Sequence, residues 1–480
     1  MPRLPKILPA FVAAVLMLEL LARADTAPAP AAGFSPPAYV PLPVASPEVP
    51  PVSGVTAMPA SSILTPLSAQ EVNASAKSSV FRLSTYLERA NSRAQHGTAF
   101  AIDTAGLLIT NFHVVRDALL GGKDYRLVLE AAEGSVPATV VAVDVVNDLA
   151  LVRAGIAFEK VVKIAQQGSA MEGEVVFSMG FPANEQLTFI QGNYGGEKAV
   201  GFVTSGFATM PLNSGMSGGP MLNSQAEVIG VNRAIITKAQ NLSYFSPLGA
   251  LKELIARNTD AGRSLASTND SWKAEAVASV KRQENLTLDL KASGKRERLG
   301  DVSFTVPLPN QKCGQSKVGG DDDLLSSELF VCQSNSLTPL VGEANALEVV
   351  TVGSASDKSI VKFAAPVQRA LFGMYRKERA EILNLKKRAP ASIDESSLKK
   401  RENCGLKNVT NGHGVEMTVS YCTIANAFYE GLFSTFVRIE VRGRKSNTTS
   451  LVQMYQGLSA EATANVLGQF LESVQTEGGS

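Results

Sequence analysis

The sequence lacks an excess of charge of either sign. Its 480 residues include 45 Lys and Arg against 44 Asp and Glu, which gives a formal net charge of +1. This balance gives no indication of nucleic acid or an anionic membrane as a partner. Apolar residues make up 45% of the chain, which is ample for folded cores, and the length predicts two or three domains.

A long uninterrupted hydrophobic run is also missing. The apolar stretch at residues 7–21 contains Pro9 and Glu19, so it is a poor match to a membrane span of ~20 apolar residues. Basic residues precede it and the small-x-small sequence Ala22-Arg23-Ala24 follows, which is the pattern of a cleaved signal peptide over residues 1–24. An uncleaved N-terminal anchor is the alternative. We expect a secreted or periplasmic protein with no membrane span in the mature chain.

Cysteine is absent before position 313. No cysteine follows the N-terminal apolar run, so a bacterial-type lipid anchor has no attachment point. An exported chain is expected to form disulfides, and four cysteines permit three connectivities. We expect Cys313 to pair with Cys332 and Cys404 with Cys422, because each pair closes a local loop. Metal binding is the alternative, although neither pair has the two-residue spacing typical of zinc sites.

Changes in composition divide the chain into segments. Residues 25–70 hold close to half of the 24 prolines, which predicts a stiff, extended linker without a core. Residues 71–258 contain many short β-type runs separated by Gly, Asn and Asp, which predict an all-β barrel or sandwich with a closing helix at Leu248–Ala256. Residues 259–295 are polar and are interpreted as a connector with one helix from Asp270 to about Arg282.

The last segment, residues 296–480, mixes strand and helix patterns and predicts a separate α+β domain of unknown function. Alternating apolar residues predict strands around Met417–Tyr421 and Phe436–Glu440. Helical patterns predict a long basic helix at Pro366–Lys387 and an amphipathic helix at Ala460–Val474. The predicted fold class is therefore multidomain, with an all-β part followed by an α+β part.

One stretch has the composition of a nucleophile loop: Gly215-Met216-Ser217-Gly218-Gly219-Pro220. Glycines let the backbone approach a substrate carbonyl closely, and the amides of Gly215 and Ser217 can point at one developing oxyanion. A serine hydroxyl needs a base and an orienting carboxylate to act as a nucleophile. The upstream candidates are His113, at the end of an apolar strand, and Asp148, which enters another. Each alone is equally compatible with a core or turn position, but their order within one β-rich region favours a catalytic triad.

These segments resemble the trypsin-like serine proteases, and in particular the bacterial HtrA-like branch. The similar motifs are Gly97-Thr98-Ala99-Phe100, Thr110-Asn111-Phe112-His113-Val114-Val115, Asn147-Asp148-Leu149-Ala150-Leu151-Val152, Gly215-Met216-Ser217-Gly218-Gly219-Pro220, the substrate-strand sequence at 228–235 and the final-strand sequence at 244–248. The resemblance covers roughly residues 75–258. It implies a double β-barrel with the site in the cleft between the barrels.

The resemblance also implies a function, that of a serine endopeptidase hydrolysing polypeptides through an acyl-enzyme on Ser217. His113 would be the general base and later the acid, and Asp148 would orient its imidazole. The amides of Gly215 and Ser217 would form the oxyanion hole. Substrate would pair with the strand after Gly230 by strand addition. No metal or cofactor is implied.

Several residues depart from the family pattern. Met216 stands where Asn or Asp is usual, and Met210-Pro211 stand where the floor of the specificity pocket is expected. With no charge there, we expect a small apolar residue before the scissile bond. Arg233 replaces a smaller polar residue on the substrate strand, where it is expected to fill part of the pocket. The predicted substrate-binding residues are Met210, Pro211, Asn232, Arg233, Ala234 and Ile235.

These departures support a second hypothesis, a catalytically silent trypsin-like domain that binds extended peptide, with a C-terminal partner-binding domain. A self-inhibited resting state is compatible with the same residues. The intact His113, Asp148 and Ser217 favour the enzyme. The peptide-binding PDZ module that often accompanies this protease branch is not recognisable in residues 296–480. The sequence indicates neither a physiological substrate nor an oligomeric state.

Overall fold

Two six-stranded β-barrels hold the residues of the predicted protease region. The computed structural model describes residues 65–131, 134–166, 170–183, 185–200, 203–233, 241–259, 271–287, 295–306, 312–318, 327–333, 339–341, 344–345, 348–356, 402–426, 429–442 and 448–476. The predicted signal peptide, most of the linker and the predicted helix at 366–387 lie outside the described residues, as do Ala234 and Ile235.

The first barrel is antiparallel and consists of strands β1 (Val80–Leu87), β2 (Ser92–Ala101), β3 (Leu107–Thr110), β4 (Tyr125–Ala131), β5 (Gly134–Asp144) and β6 (Leu149–Ala154). Hydrogen bonding runs in the order β1-β2-β3-β6-β5-β4, and pairing of β1 with β4 closes the barrel. Helix α1 (Ala69–Ala76) precedes it, started by a capping box between Ser68 and Glu71. Helix α2 (Phe112–Gly121) follows β3. Leu108 and Ile109, on opposite faces of β3, are both fully buried.

The second barrel consists of strands β8 (Val175–Gly180), β9 (Thr188–Val200), β10 (Val203–Thr209), β11 (Pro220–Leu222), β12 (Glu227–Arg233) and β13 (Ser243–Pro247), with the short strand β7 (Lys163–Ile164) added in parallel to β12. The order is β11-β8-β9-β10-β13-β12, and β11 also pairs with β12. The ring of Phe245 lies where a Cβ on Gly206 or Gly230 would be. Glycine on both neighbouring strands therefore lets this ring lie flat on the sheet. Helix α3 (Leu248–Thr259) follows β13.

The two barrels confirm the predicted trypsin-like double barrel. The predicted closing helix at Leu248–Ala256 falls inside α3. Helix α2 and the long strand β9 are among the elements that were not predicted.

The C-terminal part combines sheets with helices, as the sequence predicted. Its elements are α4 (Ser271–Thr287), β14 (Arg296–Leu299), β15 (Val302–Thr305), β16 (Lys312–Val318), β17 (Ser327–Gln333), β18 (Pro339–Val341), β19 (Ala344–Asn345), β20 (Glu348–Ser356), β21 (Glu402–Thr410), β22 (Glu416–Ala425), β23 (Leu432–Arg442), β24 (Thr448–Ser459), α5 (Ala460–Ser473) and β25 (Gln475–Thr476). The main sheet is antiparallel in the order β16-β17-β20-β24-β23-β22-β21. Smaller sheets join β14-β15-β25 and β18-β19. The predicted strands around 417–421 and 436–440 and the predicted helix at 460–474 are confirmed.

Both predicted cysteine pairs are joined in the structure. Cys313 lies opposite Cys332 in the β16–β17 pair, and Cys404 lies opposite Cys422 in the β21–β22 pair. Each bridge therefore connects neighbouring antiparallel strands within one sheet.

Helix α4 contacts the first barrel on one side and the C-terminal sheet on the other. The ring of Trp272 lies 6.5 Å from that of Phe112 in α2 and 5.8 Å, edge to face, from that of Tyr429. Along the same helix, Glu275 Oε2 accepts a hydrogen bond from the Val143 N–H of β5 at 3.4 Å. The predicted connector helix therefore packs against its neighbours. Phe112, the residue before His113, makes one of its aromatic contacts.

Candidate active site

His113 lies in the first turn of α2, two positions after the N-cap residue Asn111. The strand ends at Thr110, so the expectation that His113 sits at the end of that strand was wrong. The Asn111 side chain makes no capping hydrogen bond to the helix, and its Nδ2 donates to the carbonyl oxygen of Asp148 at 2.7 Å. Oδ1 of Asp148 accepts from the His113 N–H at 3.0 Å. A carboxylate thus satisfies one of the unpaired amides at the positive end of the helix dipole.

The second carboxylate oxygen of Asp148 contacts the imidazole. Oδ2 lies 2.8 Å from His113 Nδ1. The Asp148 side chain is 2% exposed and that of His113 is 30% exposed. Because an ionised carboxylate only accepts hydrogen bonds, this contact requires the proton on Nδ1 and leaves Nε2 of a neutral ring as the basic nitrogen.

The contacts of Asp148 also decide its charge. Burial alone would raise the pKa of its carboxyl group, but the charge and hydrogen bonds of His113, together with the charge of Arg233, lower that pKa below the ordinary value of 3.8. Asp148 is therefore an anion at neutral pH.

The turn between β5 and β6 holds Asp148 in a left-handed conformation, with a φ of 54°. Asp144 supports the turn, since its Oδ1 accepts from the Asn147 N–H at 3.1 Å and its Oδ2 pairs with Arg257 of α3, also at 3.1 Å. The Ser246 hydroxyl, from β13 of the second barrel, donates to the Asn147 carbonyl at 2.6 Å. The less common backbone conformation is therefore fixed by contacts on several sides, at the junction of the barrels.

The loop of Ser217 has the turns that its glycines predicted. Gly215 and Gly218 have φ values of 95° and 86°, in the region that favours glycine. A Cβ on Gly215 would overlap the carbonyl of Phe181, and one on Gly218 would overlap that of Thr98. The Thr98 hydroxyl donates to the Gly215 carbonyl, and its N–H donates to the Ser217 carbonyl, each at 2.8 Å. Strand β2 of the first barrel thus fixes the loop at both residues.

Asn232 ties the same loop to the second barrel. Its backbone oxygen accepts from the Gly218 N–H at 3.0 Å, and its own N–H donates to Gly219 at 2.8 Å. Its side-chain amide donates to Ser178 Oγ at 2.7 Å and to the Met216 carbonyl at 3.3 Å. Asn232 is fully buried, so its predicted contact with substrate does not fit its side chain, which holds the loop instead.

The Ser217 loop lies directly against the segment that carries His113. A Cβ on Gly97 would lie 3.1 Å from the Ser217 carbonyl oxygen and would overlap the side chain of Val114. Val114 directly follows His113, so only a bare backbone separates the two segments here. The structure thus brings the predicted histidine, aspartate and serine segments together from distant parts of the sequence.

The remaining predicted substrate-binding residues have mixed positions. Met210 is fully buried, and its carbonyl accepts from the Ser243 hydroxyl at 2.6 Å. Pro211 is exposed beside it. A role for these residues in binding substrate stays a prediction, as does that of Ala234 and Ile235, which lie outside the described residues.

Arg233 has a position that the sequence did not predict. Its Nε lies 3.4 Å from Asp148 Oδ2, and both side chains are 2% exposed. Burial lowers the pKa of Arg233 below its ordinary value, while the charges of Asp148 and Asp144 oppose that change. The available signal was an arginine in an apolar strand, which has to find a carboxylate when it is buried.

His96 also lies at the site, although no sequence motif pointed to it. Its Nε2 lies 3.3 Å from the carbonyl oxygen of Phe181, and the ring adjoins Gly215 of the nucleophile loop. Burial lowers the pKa of His96 below 6.5, and the hydrogen bond to Phe181 opposes this. Only its position one residue before the Gly97-Thr98 motif could have indicated its place.

Comparisons with known proteins agree with this arrangement. The family model of a trypsin-like peptidase domain matches residues 97–231. HhoB of Synechocystis sp. is 32% identical over 164 residues, which are 32% of this chain and 37% of that protein. A Pseudomonas fluorescens protein named "Probable periplasmic serine endoprotease DegP-like" is 25% identical over 302 residues, or 59% of this chain and 60% of that protein. "Serine protease HTRA1" of Xenopus tropicalis is 28% identical over 189 residues, or 37% of this chain and 39% of that protein.

This chain spans between 37% and 60% of the length of those relatives. The range matched by the family model contains His113, Asp148 and Ser217 and most strands of the two barrels, while β1 and β13 lie outside it. The chain therefore contains a trypsin-like peptidase domain with homologues among the HtrA and DegP serine proteases.

Proposed function

We propose that the protein is an exported serine endopeptidase, which hydrolyses peptide bonds of polypeptides through an acyl-enzyme on Ser217. The observation that carries the proposal is the contact of His113 with the buried Asp148, next to the Ser217 loop. It supplies an oriented base beside a serine in a glycine turn, which is the arrangement that activates a hydroxyl nucleophile.

In the proposed reaction, Nε2 of His113 takes the hydroxyl proton of Ser217 as the oxygen attacks the scissile carbonyl carbon. The carbonyl π electrons move to oxygen, and the amides of Gly215 and Ser217 stabilise that oxyanion. Collapse of the intermediate breaks the C–N bond, and His113 gives its proton to the leaving amine. Water, activated by the same nitrogen, then hydrolyses the ester and restores Ser217. Asp148 stays ionised and stabilises the imidazolium.

Export is supported by independent features of the chain. Two disulfides join strands of the C-terminal sheet, and such bonds persist in oxidising compartments. The N-terminal sequence has a signal-peptide pattern, and one relative carries the word periplasmic in its name. Within the described ranges, the structure contains no helix long and apolar enough to cross a membrane. The disulfides, the N-terminal pattern and the relative's name support a mature protein in the periplasm or outside the cell.

Digestion of an unfolded polypeptide tests the proposal. Purified protein should cleave reduced, alkylated casein, and Ser217→Ala and His113→Ala should each abolish cleavage. The matched control is Ser214→Ala, three residues away and exposed, which should keep wild-type activity. Folded wild-type protein that cleaves nothing, or Ser217→Ala protein that still cleaves, would contradict the proposal.

The second candidate function is peptide binding without cleavage, with partner binding by the C-terminal domain. The observation that favours it is the ion pair between Arg233 and Asp148. The guanidinium competes with the His113 ring for the negative charge of that carboxylate. In that case wild-type protein and Ser217→Ala would bind a labelled extended peptide equally, as measured by fluorescence anisotropy, and neither would release fragments.

A further inference from the structure

One carboxylate oxygen is shared by the imidazole of His113 and the guanidinium of Arg233 at the centre of the site. Asp148 Oδ2 lies 2.8 Å from His113 Nδ1 and 3.4 Å from Arg233 Nε. The two nitrogens are therefore within about 6 Å of each other. Oδ1 is occupied by the backbone N–H of His113. The anion that would stabilise a protonated imidazole is thus already next to a permanent positive charge.

Among the described residues, the other carboxylate that acts on Arg233 belongs to a second group of ion pairs. Asp144 lies close enough to act on Arg233, but its Oδ2 pairs with Arg257 at 3.1 Å. Glu253 pairs with the other terminal nitrogen of the Arg257 guanidinium. The charges of Asp144, Arg257 and Arg282 also act on Glu275 of α4. Among the described residues, Asp148 is the carboxylate in direct contact with Arg233.

Stability alone is a poor explanation for this ion pair. Removing two charges from water is unfavourable, and an apolar pair of similar volume is often as stable or more stable. A buried charge beside reacting groups is, by contrast, a common means of adjusting their chemistry. Arg233 also ends β12, whose preceding residue Asn232 holds the nucleophile loop, so its placement is fixed by the same strand.

We propose that Arg233 is a positioning residue for the Asp148–His113 pair, which shares the carboxylate with the imidazole and makes His113 a weaker base than Asp148 alone would make it. This inference rests on the proposed function. Its consequence is that the base stays unprotonated in more acidic solution. The enzyme therefore works at lower pH than a triad without the arginine, with a lower maximal rate because proton transfer to a weaker base is less favourable.

The size of the effect follows from the distances. A unit charge about 6 Å away, at the effective dielectric constant of about 20 that suits protein sites, changes a protonation equilibrium by roughly one to two pH units. The acid limb of the pH profile of kcat/KM should therefore move to higher pH by about that amount when the charge is removed.

The test compares Arg233→Met and Arg233→Gln, which remove the charge, with Arg233→Lys, which keeps it. The first measurement is the pH dependence of kcat/KM on a quenched peptide for each variant. The second follows the ring protons of His113 by NMR against pH. The chain has three histidines, so His96→Gln and His413→Gln assign the signals. This second measurement needs no turnover.

We expect the ring of His113 to protonate at higher pH in both neutral variants than in wild type, by roughly one to two pH units, with the acid limb moving in parallel and Arg233→Lys staying near wild type. Equal midpoints in wild-type and neutral variants would overturn the inference. Failure of both neutral variants to fold would also overturn it, because Arg233 would then be a structural counter-ion. If wild type has no activity but the NMR midpoints differ, the proposed function fails and the role of Arg233 stands.

Discussion

Replacing Asp148 with Asn should lower the free energy of unfolding by more than the loss of one hydrogen bond would explain. The carboxylate accepts from the His113 N–H, contacts the imidazole and pairs with Arg233. The asparagine oxygen can still accept one bond, but its NH₂ group would face two other donors. Arg233 would then be a buried cation without its contacting anion, and removing one partner of such a pair typically costs about 3–5 kcal/mol.

The double variant Asp148→Asn/Arg233→Met separates the cost of the unpaired Arg233 cation from the cost of the lost hydrogen bonds. It removes both charges together, so its free energy of unfolding should be higher than the sum of the single losses predicts, by on the order of 1–3 kcal/mol. The assay is denaturant unfolding followed by fluorescence of Trp272, the one tryptophan of the chain, which is 6% exposed. Circular dichroism should give the same midpoints. Additive losses would refute the ion pair as an energetic unit.

Activity should not return with stability in that double variant. Asp148→Asn and the double variant both lack the carboxylate that holds the imidazole tautomer. Replacement of that carboxylate by an amide typically lowers kcat by about 10⁴-fold. Recovery of kcat to near the wild-type value would contradict the role proposed for Asp148.

Three further predictions concern Trp272, Gly218 and the pH dependence of stability. Trp272→Ala should lower the free energy of unfolding by about 3–5 kcal/mol, because it empties a buried site against Phe112, and Trp272→Phe should recover part of the loss in calorimetric scans. Gly218→Ala should abolish cleavage and reduce thermal stability, because the added Cβ would overlap neighbouring backbone at a positive φ. The control is Gly249→Ala, in α3 with open space around it. Its effect on the free energy of unfolding should be neutral or stabilising by up to about 1 kcal/mol. Folding lowers the pKa of Asp148 below 3.8, so the stability that this carboxylate contributes should be fully present above about pH 4 and lost as pH falls through the pKa of the folded state. The difference in unfolding midpoint between wild type and Asp148→Asn should therefore shrink from pH 7 to pH 3. A constant difference would contradict the lowered pKa of Asp148.

The sequence identified the residues that meet at the site but not all of their contacts. His113, Asp148 and Ser217 stand in short motifs whose local chemistry is visible in the residue types. The start of α2 was not visible, because Asn111 and His113 follow an apolar strand without a break. The carboxylate of Asp148, which accepts from the His113 N–H at the start of the helix, comes from a turn 35 residues further along the chain.

Strand β9 was missed for a local physical reason. Its glycines at 192, 195 and 196 interrupt the alternation that indicates a strand. In the structure, a Cβ on Gly195 would overlap the ring of Phe207, and one on Gly192 would overlap Met210. These glycines make room for side chains of the neighbouring part of the barrel, so the sequence has the composition of a loop where the fold requires close packing.

The contact of Arg233 with Asp148 was not predictable from either motif. Its position on β12 suggested a side chain directed into a substrate pocket. Pairing of β12 with β13 and β11 places it instead beside the turn of Asp148 in the other barrel. By contrast, the two disulfides were predictable, since each joins adjacent strands close in sequence.

The central claim is that Ser217 is a nucleophile activated by His113 and Asp148. A fluorophosphonate probe followed by peptide mapping in a mass spectrometer tests it directly, because the probe forms a stable adduct with activated serines. We predict one adduct per chain, on Ser217, in the wild-type protein and in Ser214→Ala, and no adduct in Ser217→Ala or His113→Ala. Folded wild-type protein that gains no adduct, or an adduct on a different serine, would contradict the account.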